Sequence, residues 1–208
     1  MVFASREDAG KQLAAYLRQD NVVADLVLGL PRGGVVVAAE VAHALDLPLD
    51  VLIVRKLGHP FHREFAVGAI AEGGIVVLDQ TIIGRNPLVR SSLDEVVAEE
   101  KERLQRYQAR FHRQGPFDLQ GKQVLLVDDG LATGATTEAA VLSARHLGAS
   151  RLLVSAPVAS TNAIERLRKC ADAVLVLWRD PDFDAVGRYY ESFSQTTDEE
   201  VIDLLKAA

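Results

Sequence analysis

Apolar positions along the chain follow two different periods. Ser5 opens SREDAGKQLAAYL, in which Ala9, Leu13, Tyr16 and Leu17 recur at helical spacing, so a capped amphipathic helix is predicted there. A continuous apolar run, LVLGL (26–30), then meets PRGG, and GVVVAAEVAHAL follows with the unbroken apolarity of a buried helix. This is strand, tight turn, helix. LDVLIVRKL (49–57) reads as the next strand and GHPFHREF as a polar stretch after it. AVGAIA and GIVVLD then read as a β-hairpin turning at Glu72, Gly73 and Gly74.

A long helix is predicted from Ser91 to Arg113. Ser92 and Glu95 have capping-box spacing, and Leu93, Val96, Val97, Leu104, Tyr107 and Phe111 share one face. Glu99/Arg103 and Glu102/Arg106 are i,i+4 pairs on its wet side, and Gly115-Pro116 ends it. Then come VLLVDDGLATGAT (124–136) as strand, turn and helix start, RLLVSAPVA as a strand, STNAIERLRKC as a helix and AVLVLW (173–178) as a strand. An irregular aromatic tail, DPDFDAVGRYYESFSQ, precedes a helix that Thr197 and Glu200 cap. Strands alternating with helices predict an α/β fold whose mostly parallel sheet carries helices on both faces.

Composition narrows the class. With 208 residues, 49% hydrophobic and 25% charged, the chain is sized for one globular domain spanning 1–208. A formal net charge of -6 opposes broad attraction to nucleic acid, leaving only local basic faces such as Arg103, Arg106, Arg110 and Arg113. The charged N-terminus does not resemble a signal peptide, and no apolar run reaches the ~18 residues of a membrane span, so a cytoplasmic protein is expected. The single cysteine, Cys170, has no histidine near it in sequence and reads as a structural thiol.

The chemistry concentrates in VLLVDDGLATGAT. Its apolar run carries the backbone to the carboxyl edge of the sheet, where α/β proteins place ligands. Gly130 and Gly134 let the turn bend closely, and Ala132, Thr133, Gly134, Ala135 and Thr136 offer backbone N–H groups and two hydroxyls at a helix N-terminus. That is a cradle for one phosphate, without the Gly-Lys-Ser/Thr ending of a Walker A loop. Carboxylates accept hydrogen bonds, so Asp128 and Asp129 suit two vicinal sugar hydroxyls, or a hard cation directly or through water. The bland alternative for a lone pair of aspartates is a solvated strand end.

The complete pattern resembles the signature of type I phosphoribosyltransferases, which bind 5-phosphoribosyl 1-pyrophosphate (PRPP). Leu30-Pro31-Arg32-Gly33-Gly34 resembles that family's pyrophosphate loop, also between a strand and a helix. The segments VRKLG, AVGAIAEGG and VGRYY extend the likeness to a group of bacterial phosphoribosyltransferase-like proteins. The resemblance implies the type I fold, with a small hood formed by the C-terminal tail (about 179–208); the helix at about 91–113 is an insertion that departs from the family, a candidate to cover the site or to form a dimer contact. The resemblance also implies PRPP and Mg2+ as substrate and cofactor, a homodimer, and a non-proline cis peptide near Arg32. Pyrophosphate would be bound by Arg32, Gly33 and Gly34, with Arg55 and Lys56 at the next strand end; the alternative for the last two is a pair of basic residues with no ligand. Leu57 to Glu64 occupies the place of the family's mobile lid. His59 and His62 in it lack a convincing third metal ligand, and Glu64 is a candidate for proton handling.

This sequence departs from the 6-oxopurine enzymes. Ala132 stands where those carry an aspartate, and Ser155 is the nearest match to the lysine with which they read the base. Hypoxanthine and guanine are therefore disfavoured as acceptors. Phe183 or Trp178, with Tyr189 and Tyr190 nearby, are candidates to stack on an acceptor, against core packing as the alternative. The reading is phosphoribosyl transfer to a small nitrogenous acceptor. A non-catalytic PRPP-sensing regulator is the alternative, less favoured because Arg32, Gly33 and Gly34 are all retained.

Overall fold

A computed structural model describes residues 2–83, 87–112 and 118–208. The first helix, α1 (Arg6–Gln19), opens on Ser5, whose hydroxyl accepts from the Asp8 N–H. Next come β1 (Leu26–Gly29), α2 (Gly33–Leu45), β2 (Leu49–Val51), β3 (Val54–His59), β4 (His62–Ala71) and β5 (Val76–Leu78). The short α3 (Gln80–Ile83) and the long α4 (Pro87–Phe111) precede β6 (Gln123–Val127) and α5 (Ala135–His146). The chain closes with β7 (Arg151–Ser160), α6 (Thr161–Leu167), β8 (Ala173–Asp180), a 3-10 turn and α7 (Asp198–Ala207). None of the helices among the described residues is long and apolar enough to cross a membrane.

Five parallel strands form the main sheet in the order β2-β1-β6-β7-β8. Successive residues on a strand point to opposite faces, and both faces here are covered, so the strands read as unbroken apolar runs. Leu28, Leu126 and Val154 pack with Val141, Ala144 and Leu167 of α5 and α6. Their neighbours Val27, Leu125 and Leu153 pack with Leu13, Leu17, Val37 and Val41 of α1 and α2. The α/β expectation holds, with helices on both faces.

A second, antiparallel sheet, β3-β4-β5, corrects two readings. LDVLIVRKL is not one strand: β2 ends at Val51, the Leu52 N–H reaches back to the Gly29 carbonyl, and the Ile53 N–H goes to the Glu72 carboxylate, so the chain leaves one sheet for the other. Continuous apolarity hides such a switch, because all of Val51, Leu52 and Ile53 are buried. Leu57 to Glu64, in the place of the family's mobile lid, is not an irregular loop between separate strands either. It is the tip of the β3–β4 hairpin, with His59 opposite His62. The hairpin predicted between AVGAIA and GIVVLD forms, and Gly73 and Gly74 take the positive φ values, 74° and 77°, that glycine tolerates.

Helix α4 begins at Pro87 rather than near Ser91, so Ser92 and Glu95 lie inside it. Proline suits a first helical position because its fixed φ is helical and its missing N–H would have no partner there. Its predicted apolar face is buried at Leu93, Val96, Leu104 and Phe111. The predicted charge pairs rearrange: Glu99 meets Arg63, Arg103 meets Glu100, and Arg106 bonds the Glu102 carbonyl. Arg113, Gly115 and Pro116 lie outside the described residues. Thr197 and Glu200 form the capping box expected for α7.

Candidate active site

The site is assembled where β1 and β6, adjacent and parallel, end together at the carboxyl edge of the main sheet. The loop after β1 supplies Pro31, Arg32, Gly33 and Gly34, and the peptide joining Pro31 to Arg32 is cis. The turn after β6 supplies Asp128 to Gly134, followed by the N-terminus of α5. A cavity of about 260 Å³ is lined by both, including Arg32, Gly33, Asp128, Asp129, Thr133, Gly134 and Thr136, with Lys56 reaching in from β3. Two segments about a hundred residues apart in sequence thus share one hollow.

The phosphate turn is braced from behind. Gly134 adopts φ 73° immediately before α5, and a Cβ there would stand 3.3 Å from the Ala163 Cα. The Ser160 hydroxyl donates to the Ala132 carbonyl, while its oxygen accepts from the Ala163 N–H at 2.9 Å. Leu131 bridges to Ala159 at the end of β7. With its carbonyls tied down, the turn presents backbone N–H groups at a helix N-terminus, the arrangement that suits a phosphate.

The two aspartates are held differently. The Asp129 N–H donates to the Asp128 carboxylate at 2.9 Å. Asp129 itself accepts from Arg6 Nε at 2.7 Å, and its carbonyl accepts from the Tyr190 hydroxyl. Burial holds the Asp128 carboxyl well above the usual carboxylate range, and the adjacent Asp129 charge adds to this. Burial also raises Asp129, with the Arg6 guanidinium opposing the shift. Burial likewise raises the Tyr190 phenol, which stays protonated and able to donate.

The glycines of the first loop are required by these side chains. A Cβ on Gly33 would collide with Asp129 Oδ2, and one on Gly34 would lie 2.8 Å from Asp128 Oδ1. Sequence reasoning assigned them to pyrophosphate approach alone; the aspartates packed behind the loop are a second reason. Arg32 lies partly exposed, with Nη1 3.5 Å from Asp198 of α7. Gly130 is likewise crowded, since a Cβ there would meet Val186 at 2.7 Å.

Other predicted site residues separate. Arg55 is not in the cavity: its Nε pairs with Glu100 at 2.9 Å and its guanidinium lies 5.4 Å from the Tyr107 ring centre on α4. Adjacent strand residues face opposite ways, so only Lys56 of the two turns to the site. Phe183 lines a neighbouring hollow of about 790 Å³ that shares Ala132 and Thr133 with the first, and it stacks on Tyr189 at 5.1 Å. Trp178 does not line it and is 43% exposed on β8. Ser155 is fully buried, donates to the Leu175 carbonyl and lines neither hollow. The backbone of Glu64 belongs to β4, and its side chain lies outside the described residues.

Sequence reasoning missed Arg6 and the buried His112. Arg6 is one of many charged residues on an amphipathic helix, and only the fold brings it to Asp129. His112 Nε2 meets Glu72 at 2.9 Å and Nδ1 lies 3.4 Å from Asp50; burial opposes its charge, but these carboxylates prevail and raise its pKa to about 9. Among the described residues no group of three or more His, Cys, Asp or Glu is arranged to hold a metal ion.

Comparison with known proteins agrees with this geometry. Residues 4–176 match the phosphoribosyl transferase domain family. A Mycobacterium tuberculosis H37Rv protein named "Putative phosphoribosyl transferase" is 44% identical over 208 residues, covering 100% of this chain and 47% of that protein. The chain therefore spans about half the length of the curated relatives it matches. A crystal structure from Thermus thermophilus superposes with a TM-score of 0.80 at 43% identity, covering 99% of this chain and 98% of the other. The purine phosphoribosyltransferase of Pyrococcus horikoshii shares the fold, with a TM-score of 0.50, 19% identity and coverage of 94% and 97%. On its sequence match over most of its length, with both signature loops at one sheet edge, the chain belongs to the phosphoribosyl transferase domain family.

Proposed function

We propose that this protein transfers the 5-phosphoribosyl group of PRPP to a small nitrogenous acceptor and releases pyrophosphate. The observation that carries the reading is the shared cavity, in which a helix N-terminus, two aspartates, the Arg32–Gly34 loop and Lys56 converge. PRPP has a matching order of groups: a phosphate, a diol and a pyrophosphate.

Backbone N–H groups of Ala132 to Thr136 and the hydroxyls of Thr133 and Thr136 bind the 5'-phosphate. Asp128 and Asp129 accept from the ribose hydroxyls and orient the ring. Both carboxylates are buried, so a hydroxyl proton donor or a cation at the oxygens that Arg6 and the Asp129 N–H leave open lowers the cost of their charge. Arg32, Lys56 and the N–H groups of Gly33 and Gly34 receive the pyrophosphate. As the acceptor nitrogen attacks C1, the C1–O bond breaks and its electron pair leaves with the pyrophosphate, while positive charge grows on the ribose. Arg32 and Lys56 stabilise the leaving group, and the aspartates favour the charge on the ring.

Two adjacent aspartates are hard oxygen donors, too few to cage an ion alone yet suited to Mg2+ whose remaining ligands are water and substrate oxygens. Bound there, Mg2+ would neutralise developing pyrophosphate charge. The acceptor fits the neighbouring hollow, where Phe183 offers an aromatic face beside Ala132 and Thr133. Loss of an acid at Ala132 and the inward turn of Ser155 disfavour a 6-oxopurine.

A panel of nucleobases and other amines, assayed with PRPP for pyrophosphate release with and without Mg2+, tests the reading. Release that depends on one acceptor supports transfer. Tight PRPP binding without release from any acceptor would replace the enzyme with a PRPP-sensing regulator.

A further inference from the structure

Besides Lys56, a second cationic side chain from outside both signature loops meets the donor site, through Asp129. Arg6 opens α1, and its side chain is only 11% exposed. Its Nε donates to Asp129 at 2.7 Å, its Nη1 donates to the Ser194 carbonyl at 2.7 Å, and its guanidinium carbon lies 3.8 Å from the Phe193 ring centre. Ser194 and Phe193 belong to the C-terminal tail, beyond the family match, which ends at residue 176.

Burying a guanidinium is costly unless it is paired and its donors are used. Here it is fixed from several sides, and so therefore is the carboxylate it holds. A Cβ on Gly33 would stand 2.6 Å from Arg6 Nε and would overlap Asp129 Oδ2 as well, so the pair packs directly against the first loop. Two neighbouring carboxylates in a part-buried site repel each other, and Arg6 is the cation that directly pairs with one of them. The same aspartate is gripped at its carbonyl by Tyr190, whose ring lies 5.6 Å from Phe3. The N-terminal segment and the C-terminal tail thus clamp Asp129 together.

We infer that Arg6 is a positioning residue of the donor site, fixing the Asp129 carboxylate, with the tail segment at Phe193 and Ser194, in the orientation that receives the ribose. The inference rests on the PRPP reading. Arg6 acts through Asp129 and contacts no reacting atom.

Calorimetric titration of wild type, Arg6→Gln, Asp129→Asn and the double variant tests it, with PRPP, ribose 5-phosphate and inorganic phosphate as probes. Arg6→Gln is expected to weaken PRPP and ribose 5-phosphate by about tenfold or more, the usual size for a charged hydrogen bond, and to leave inorganic phosphate unchanged. In the Asp129→Asn background, Arg6→Gln is expected to add almost nothing. Equal weakening of all three probes, or additive losses in the double variant, would mark a merely structural role and overturn the inference. Should Arg6→Gln fail to fold, Arg6→Lys supplies the comparison: an ammonium keeps the charge but cannot reproduce the planar stack and fixed fork of donors. It is expected to lose PRPP affinity several-fold, and wild-type affinity would overturn the assignment. A wild-type chain that does not bind PRPP removes the donor reading and this inference together. Binding by wild type and undiminished binding by folded Arg6→Gln remove only the role of Arg6.

Discussion

Arg55 and Lys56 are consecutive on β3, yet Arg55 turns to Glu100 on α4 while Lys56 turns to the cavity beside Asp128 and Arg32. Their substitutions should therefore separate. Lys56→Ala is expected to weaken PRPP binding about tenfold with little change in melting temperature. Arg55→Ala is expected to leave PRPP affinity unchanged and to cost about 1–2 kcal/mol of stability, because Glu100 is buried and would lose one of its two cations. Titration and thermal melting of both variants check the assignment. The opposite pattern would place Arg55 at the ligand.

His112 links the end of α4 to Glu72 at the hairpin turn and to Asp50 in β2. Its folded pKa, raised to about 9, lies above the ordinary value of 6.5. The folded state therefore binds the proton more tightly than the unfolded chain does. The stabilisation is complete below pH 6.5 and is lost as pH rises through about 9. Unfolding in denaturant at pH 6 and pH 9.5 should show a fall in stability on the order of 2 kcal/mol after allowance for solvent screening. His112→Gln should flatten that part of the profile. An unchanged slope in the variant would show that other groups carry it.

Gly134 and Gly33 predict two different kinds of damage. Gly134→Ala forces a side chain into φ 73° and against Ala163, so a stability loss of about 1–2 kcal/mol is expected together with weaker phosphate binding. Gly33→Ala puts a methyl into Asp129 Oδ2 and 2.6 Å from Arg6 Nε, so the buried pair must move. PRPP binding should fall and stability with it by about 1–3 kcal/mol, while inorganic phosphate, held by the turn after β6, still binds. Melting curves alongside titration of PRPP and inorganic phosphate distinguish them.

Much of this arrangement was legible in the chain. The strand–turn–helix units around Pro31 and Asp128 have short-range signals, namely apolar runs ending in glycine-rich turns, and they appear where the pattern put them. What failed depends on pairing at a distance. The β2–β3 break falls within a buried apolar run, because leaving one sheet for another does not interrupt burial at Leu52 and Ile53. Residues 58–63 are polar because they form the tip of the hairpin, where Phe61 is 60% exposed, and polarity does not distinguish a tip from a loop. Arg6 could not be found by spacing: its partner Asp129 lies 123 residues away.

The aromatic candidates for the acceptor also separate. Phe183 lines the hollow beside the phosphate turn, and Trp178 does not. Once an acceptor is identified, Phe183→Ala should raise its KM about tenfold with the KM for PRPP unchanged, as loss of one stacking face would do. Trp178→Ala should change neither. Steady-state kinetics on both variants decides it.

The central claim is that Asp128 and Asp129 are the ribose-binding acids of a PRPP site. Calorimetric titration of PRPP, in Mg2+, into wild type and into the Asp128→Asn, Asp129→Asn double variant tests it most directly. Saturable binding to wild type and a loss of at least about a hundredfold in a variant that melts as a folded protein are the predicted results, since two charged hydrogen-bond acceptors are removed. Undiminished PRPP affinity in the folded variant would contradict the account.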